Sequence, residues 1–89
     1  MIVRYIIIDG DDITSREELY SAWRAHAELP DYFGNNLDAL HDSLSGQELT
    51  VELRNMDKLR EKLGEYTDAM IGMLNDTALE STKFVLING

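Results

Sequence analysis

Three short apolar runs divide the 89-residue chain, and the stretches between them are long enough to hold helices. The first run, Val3 to Ile8, shows no polar alternation, which is typical of a strand covered on both faces. The second, Leu49 to Arg54, alternates apolar and polar residues like a half-buried strand at a sheet edge. The third is Phe84 to Ile87. Because helical crossovers of this length join parallel strands, the spacing predicts a three-stranded parallel sheet.

Helical patterns fill both intervals. A capping box at Ser15 opens a helix predicted over Arg16–Ala27. A second helix, short and amphipathic, follows an asparagine cap at Asn35 or Asn36. Two more apolar stripes, divided by Gly64, indicate helices after the second strand. The order β-α-α-β-α-α-β, with about four helices, predicts a single α/β domain over residues 1–89.

The composition excludes several classes of function. Cysteine is absent, which rules out disulfides, thiol nucleophiles and cysteine zinc sites. The N-terminal apolar run is far shorter than the roughly 20 residues of a membrane span. A net charge of −9 argues against direct nucleic-acid binding, since phosphates need clusters of Lys and Arg. We therefore expect a cytoplasmic protein, monomeric when free, without cofactor, metal or membrane contact, whose partner is basic.

The net negative charge is concentrated in the middle of the chain, which carries six of the nine net charges. The stretch from Ala25 to Leu53 has no Lys or Arg but holds six of the 17 acidic residues. On the second helix, an acidic stripe combines the side chains at i, i+3, i+4 and i+7: Asp38, His41, Asp42 and Ser45. Asp42 repels Asp38 at a cost of about 0.2 to 0.5 kcal/mol. The charge pattern leaves two interpretations open, a surface for a cationic partner or a solvated acidic face.

Two adjacent aromatic residues precede this helix, in a loop rich in turn residues. One interpretation buries Phe33 under the helix and leaves Tyr32 half exposed. The other makes Tyr32 an interface contact beside the acidic residues. The two interpretations are compatible.

The segment from Leu29 to Gly46 resembles the hallmark segment of barstar-type ribonuclease inhibitors. Its pattern is Leu-Pro-acid-Tyr-aromatic-Gly-x-Asn-Leu-Asp-Ala-Leu, with a second Asp four residues after the first helical one. The resemblance covers most of the chain and weakens from about Gln47 to Ser81. It implies a two-layer fold with strands in the order 1-2-3, which moves the second strand from the sheet edge to its centre.

The resemblance also implies a function. Barstar-type proteins hold a small secreted ribonuclease of the barnase type inactive inside the producing cell, by laying this helix and loop across its active-site cleft. Carried over by position, Asp42 is the main phosphate mimic, flanked by Asp38 and Tyr32. The further expected contacts with the partner are Gly34, Asn36, His41, Ser45, Gly46 and Asp76.

Two residues depart from the family pattern. His41 and Gln47 stand where the well-known inhibitor of the family has tryptophans. A protonated His41 between two aspartates would dilute the acidic field. The departure points either to weakened binding of barnase itself or to a partner with a different pocket shape.

Other functions are less well supported by the residues. Asp9, Asp11 and Asp12 follow the first strand, where carboxylates can hold magnesium, but a turn before the capping box also explains them. Two histidines are too few for a zinc motif, and the helical spacing of Trp23 indicates a core residue. The alternative to a ribonuclease inhibitor is an acidic interaction module or DNA mimic that binds another basic protein.

Overall fold

The computed structural model describes residues 4–27, 29 and 34–88. Its elements occur in the predicted order: β1 Arg4–Asp9, α1 Arg16–His26, α2 Leu37–Ser45, β2 Leu49–Arg54, α3 Met56–Leu63, α4 Glu65–Glu80 and β3 Phe84–Asn88. Among the described residues, none of the helices is both long and apolar enough to span a bilayer.

The three strands form one parallel sheet in the order β1-β2-β3. Ile6 of β1 lies beside Val51 of β2, which lies beside Leu86 of β3. The predicted α/β class and strand order are confirmed. The assignment of the second strand to a sheet edge from its alternation was wrong, because that alternation reports one uncovered face and not the position of the strand.

One face of the sheet is buried and the other is open. Ile6 and Ile8 are buried, whereas Tyr5 is 56 % and Ile7 40 % exposed on the opposite side of β1. The prediction that the first strand is covered on both faces was therefore wrong. An unbroken apolar run cannot by itself show whether a second layer of helices is present.

Glu52 of β2 lies at the centre of the open face. Its carboxylate accepts hydrogen bonds from the hydroxyl of Tyr5 and from Nε of Arg54. The Glu52 side chain is only 16 % exposed, whereas that of Arg54 is 51 % exposed. A charged, hydrogen-bonded group therefore separates the exposed apolar residues of β1 from those of β3.

Local hydrogen bonds explain where α1 begins. Ser15 Oγ accepts from the backbone N–H of Glu18 at 3.1 Å. The Glu18 carboxylate accepts in return from the backbone N–H of Thr14 at 2.6 Å. The predicted cap at Ser15 is confirmed, and Glu18 reaches back to Thr14, one residue before the N-cap, and not to Ser15 as in a standard capping box. The helix ends at His26, one residue before the predicted end at Ala27, which is its C-cap.

Packing against the core sets the position of α2. Leu40 and Leu44 are fully buried, so the helix can present only its opposite side to solvent. On α1, Trp23 is fully buried beside Leu19, which confirms it as a core residue. The helices thus form one layer under the sheet, and α2 lies against α4.

The turn after β1 is fixed by internal contacts. The Asp9 carboxylate accepts from the backbone N–H of Asp11 at 3.0 Å and from Nδ2 of Asn55 at 2.8 Å. Lys62 Nζ donates to the carbonyl oxygens of Gly10 and Ile13 at 3.1 and 2.9 Å. These bonds give Asp9 a structural role in the turn.

Candidate partner-binding surface

The outward side of α2 presents the two aspartates of the acidic stripe. Asp42 is 88 % exposed at its side chain, and Asp38, one turn earlier, is also exposed. In the described part of the chain, neither carboxylate is paired with a Lys or Arg. Because α2 is anchored by buried leucines on its other side, the two charges stay on the surface together.

His41, the third member of the stripe, turns toward α4. Its Nε2 lies 2.9 Å from Oε2 of Glu80, and its side chain is only 28 % exposed. Its Nδ1 lies 3.9 Å from Oδ1 of Asp42. The sequence pattern placed His41 on the outward side of the helix with the aspartates, and the structure shows that it also bridges α2 to the end of α4.

A groove of about 450 Å³ runs between α2 and α4. Its lining residues are Leu37, Asp38, His41, Ala69, Gly72, Met73, Asp76 and Glu80. The small and apolar side chains come from both helices, and the remaining ones are three carboxylates and the imidazole of His41. The groove therefore combines an apolar lining with carboxylates from two helices.

Asp76 and Glu80 extend the negative charge from α2 to α4. Both are exposed and lie one helical turn apart. The family resemblance implied Asp76 as a contact, and the structure places it in the same groove as Asp38. Glu80 was missed, although its i, i+4 spacing from Asp76 is visible in the sequence. Asp38, Asp42, Asp76 and Glu80 are called the acidic surface below.

The end of α2 uses its polar side chains internally. Ser45 Oγ donates to the carbonyl oxygen of His41 at 2.7 Å. Gln47 Nε2 donates to the carbonyl oxygen of Ser43 at 3.0 Å. Gly46, between them, is exposed, and an added Cβ would meet nothing within 4 Å. Glycine at this position is therefore not required by packing, and the backbone is open to a partner.

Asn36 fixes the other end of the helix. Its Oδ1 accepts from the backbone N–H of Ala39 at 2.8 Å, so Asn36, and not Asn35, is the N-cap. Gly34 is exposed, and an added Cβ there would lie 3.3 Å from Nδ2 of Asn36. Tyr32 and Phe33 lie outside the described residues.

The helix ends add to the negative potential. Neither α2 nor α4 has a basic residue in its last turn, where the partial charge of the helix dipole is negative. Asp38 lies in the first turn of α2, where the dipole stabilises a carboxylate. Asp42 lies beyond the first turn and is not stabilised by the dipole in this way, so helix stability does not explain an aspartate at this position.

Comparisons with known proteins agree with this architecture. The family model described as "Barstar (barnase inhibitor)" matches residues 3–87. A protein of Bacillus subtilis (strain 168) with the curated name "Putative ribonuclease inhibitor YrdF" is 37% identical over 81 residues. The matched region spans 88% of this chain and 89% of that protein.

Proposed function

This chain belongs to the barstar family, and on that basis we propose that it inhibits a ribonuclease by covering the active-site cleft with α2. The name of the Bacillus subtilis relative supports inhibition of a ribonuclease in general. The acidic surface supports the more specific part of the proposal, a basic enzyme of the barnase type. We place the protein in the cytoplasm of the producing cell, as a monomer until it binds.

The observation that carries the proposal is the exposure of Asp42. Its side chain is 88 % exposed, it lies one turn from Asp38, and no described Lys or Arg offsets the repulsion. That repulsion costs about 0.2 to 0.5 kcal/mol of helix stability. A fold that needed only stability would gain from a basic residue here, so the pair is better explained by a cationic partner.

Phosphate mimicry follows from the chemistry of such a partner. An enzyme that cleaves RNA holds phosphates with preorganised cationic and hydrogen-bonding groups. Carboxylates on a helix can accept the same hydrogen bonds, while the helix itself blocks access to the cleft. Complementary charge also steers the encounter, which raises association rates by about 10- to 1000-fold.

Each predicted contact has a role in this proposal. By the family resemblance, Asp42, whose side chain is 88 % exposed, is the main phosphate mimic, with Asp38 and Tyr32 flanking it and Asp76 as a further acidic contact from α4. The bare backbone at Gly46 allows close approach. The family resemblance adds Gly34, Asn36, His41 and Ser45 as further contacts.

The direct test is an inhibition assay. The purified chain is mixed with a panel of small guanyl-specific bacterial ribonucleases, and RNA cleavage is followed with and without the Asp42→Ala substitution. We expect stoichiometric inhibition that Asp42→Ala weakens and that Glu61→Ala, on α3 away from the groove, leaves intact. Binding of a basic protein without loss of RNA cleavage would instead favour the acidic interaction module or DNA mimic.

A further inference from the structure

His41 differs from the four carboxylates of the acidic surface because its ring can be neutral or positively charged. We propose that His41 is a positioning residue whose protonation weakens binding of the cationic partner. This inference rests on the proposed function. The neutral ring leaves the acidic surface at full negative charge. The positive charge of the protonated ring offsets part of that negative charge. Binding is then tighter at pH 8 than at pH 5.5 by an amount that depends on His41.

The structure fixes the ring between two helices. The buried Leu40 and Leu44 set the rotation of α2, which directs His41 toward α4. The hydrogen bond partner of Nε2 is Glu80, at 2.9 Å, near the C-terminal end of α4. A side chain that is 28 % exposed and held in this way has little freedom to turn away from the surface.

The groups around the ring are acidic on both helices. From α2, Asp42 lies 3.9 Å from Nδ1 and Asp38 lines the same groove. From α4, Glu80 contacts Nε2 and Asp76 lines the groove beside it. The other described lining residues are uncharged. Among the lining side chains only the imidazole can exist as a neutral or a cationic ring, so a proton that binds there acts on the groove through His41.

Protonation changes what the surface offers to a cation. A neutral ring has one N–H, which can donate to Glu80 and leaves the carboxylate charge available. A protonated ring has two N–H groups and a positive charge beside Glu80 and Asp42. The carboxylates then attract a cationic partner less strongly, and the protonated ring repels it. Because the proton and the partner oppose each other, binding at acid pH must release protons.

The experiment compares the wild type with His41→Gln against one guanyl-specific ribonuclease that the inhibition assay identifies. Glutamine keeps an N–H that can donate to Glu80 but cannot become charged. Calorimetry gives the Kd of both proteins from pH 8 to pH 5.5. Groups of the ribonuclease that titrate in this range affect both proteins equally, so the ratio of the two Kd values isolates His41. We expect this ratio to change by about threefold to tenfold, with the wild type losing more affinity at acid pH.

A second measurement needs no partner. In the free protein, NMR should show the side-chain carboxyl carbons of Glu80 and Asp42 shifting as the His41 ring protonates, and these shifts should vanish in His41→Gln. Glu61 on α3 serves as the reference carboxylate. Unfolding of both proteins by urea checks that the substitution leaves the fold intact.

The outcomes separate the two proposals. Parallel Kd profiles for wild type and His41→Gln would overturn the role of His41 while leaving ribonuclease inhibition in place. Carboxyl shifts at Glu80 that persist in His41→Gln would also overturn it. A wild-type protein that binds none of the ribonucleases at pH 8 would contradict the proposed function itself.

Discussion

Asp38 of α2 and Asp76 of α4 line the same groove, although β2 and α3 separate them in the chain. The packing of α2 against α4 brings them together, and it adds Glu80 beside them. The negative charge that the sequence shows on one short helix is therefore part of a broader surface. A partner that recognises α2 also meets the side of α4.

Removing the carboxylate of Asp42 should weaken ribonuclease binding more than any other single change on this surface. Truncating one member of a buried charge pair costs about 2 to 5 kcal/mol, which raises Kd roughly 30-fold or more. Asp76→Ala should have a smaller effect, and Glu61→Ala none. Calorimetry of the three variants tests this order. Equal small effects at Asp42 and Glu61 would exclude α2 as the binding surface.

Association should slow steeply as salt is added. Steering depends on exposed charges such as Asp42, and ionic strength near 0.15 M screens such charges beyond about 8 Å. Stopped-flow measurements from low to high salt give the rate constant directly. Dissociation should change much less. An association rate that is independent of salt would contradict electrostatic steering.

The stability of the protein should fall in acid partly through Glu18. Hydrogen bonds from the hydroxyl and the backbone N–H of Thr14 lower the pKa of Glu18 below its ordinary value of 4.5. Because the pKa is lower in the folded state, this stabilisation is complete above pH 4.5 and is lost as the pH falls through the folded-state pKa. Urea unfolding should show Glu18→Gln less stable than wild type at pH 7, with the difference shrinking toward pH 3.

Glu17→Gln is the matched control for this change, because Glu17 is exposed in the same helical turn. It should leave the pH dependence as it is in the wild type. A Glu18→Gln penalty of the same size at pH 3 and pH 7 would mean that the carboxylate charge is not what stabilises the cap.

Gly10 and Gly46 should respond differently to alanine. A Cβ at Gly10 would lie 2.2 Å from the carbonyl oxygen of Asn55, so the backbone would have to move. We expect Gly10→Ala to lower the free energy of unfolding by about 1 to 3 kcal/mol. Gly46→Ala meets open space and should leave stability nearly unchanged. Urea unfolding of both variants tests this, and equal stability would mean that the turn relaxes without cost.

EDTA should change neither stability nor ribonuclease inhibition. The Asp9 carboxylate, one of the three candidate ligands with Asp11 and Asp12, accepts hydrogen bonds from the backbone N–H of Asp11 and from Asn55. No group of three or more metal-ligating side chains occurs within the described ranges. Thermal unfolding and inhibition are measured with and without the chelator. A large loss in either would revive magnesium binding after the first strand.

The order of the elements could be predicted from the sequence because periodicity and caps are local. Ser15 and Asn36 mark helix starts through hydrogen bonds within one turn. The central position of β2 came from the family resemblance, since alternation shows only that one face is open. The exposure of Tyr5 was missed because an apolar residue facing solvent and one facing a core give the same local pattern.

The candidate surface was predictable only in part for a similar reason. Asp38 and Asp42 share one helix, so their spacing alone places them together. The contact between His41 and Glu80 depends on how α2 packs on α4 and could not be inferred from spacing within either helix. Sequence patterns thus indicated the charges on α2 but not how its histidine is held.

The Glu52 carboxylate lies on the open face of the sheet, and it affects whether a second copy of the chain can stack on that face. A second copy stacking there would also bury the paired Arg54, whose side chain is 51 % exposed, and the desolvation of that charge costs free energy that the neighbouring Tyr5 and Ile7 would need to offset. The charge on this face therefore opposes the stacking of a second copy on the open sheet.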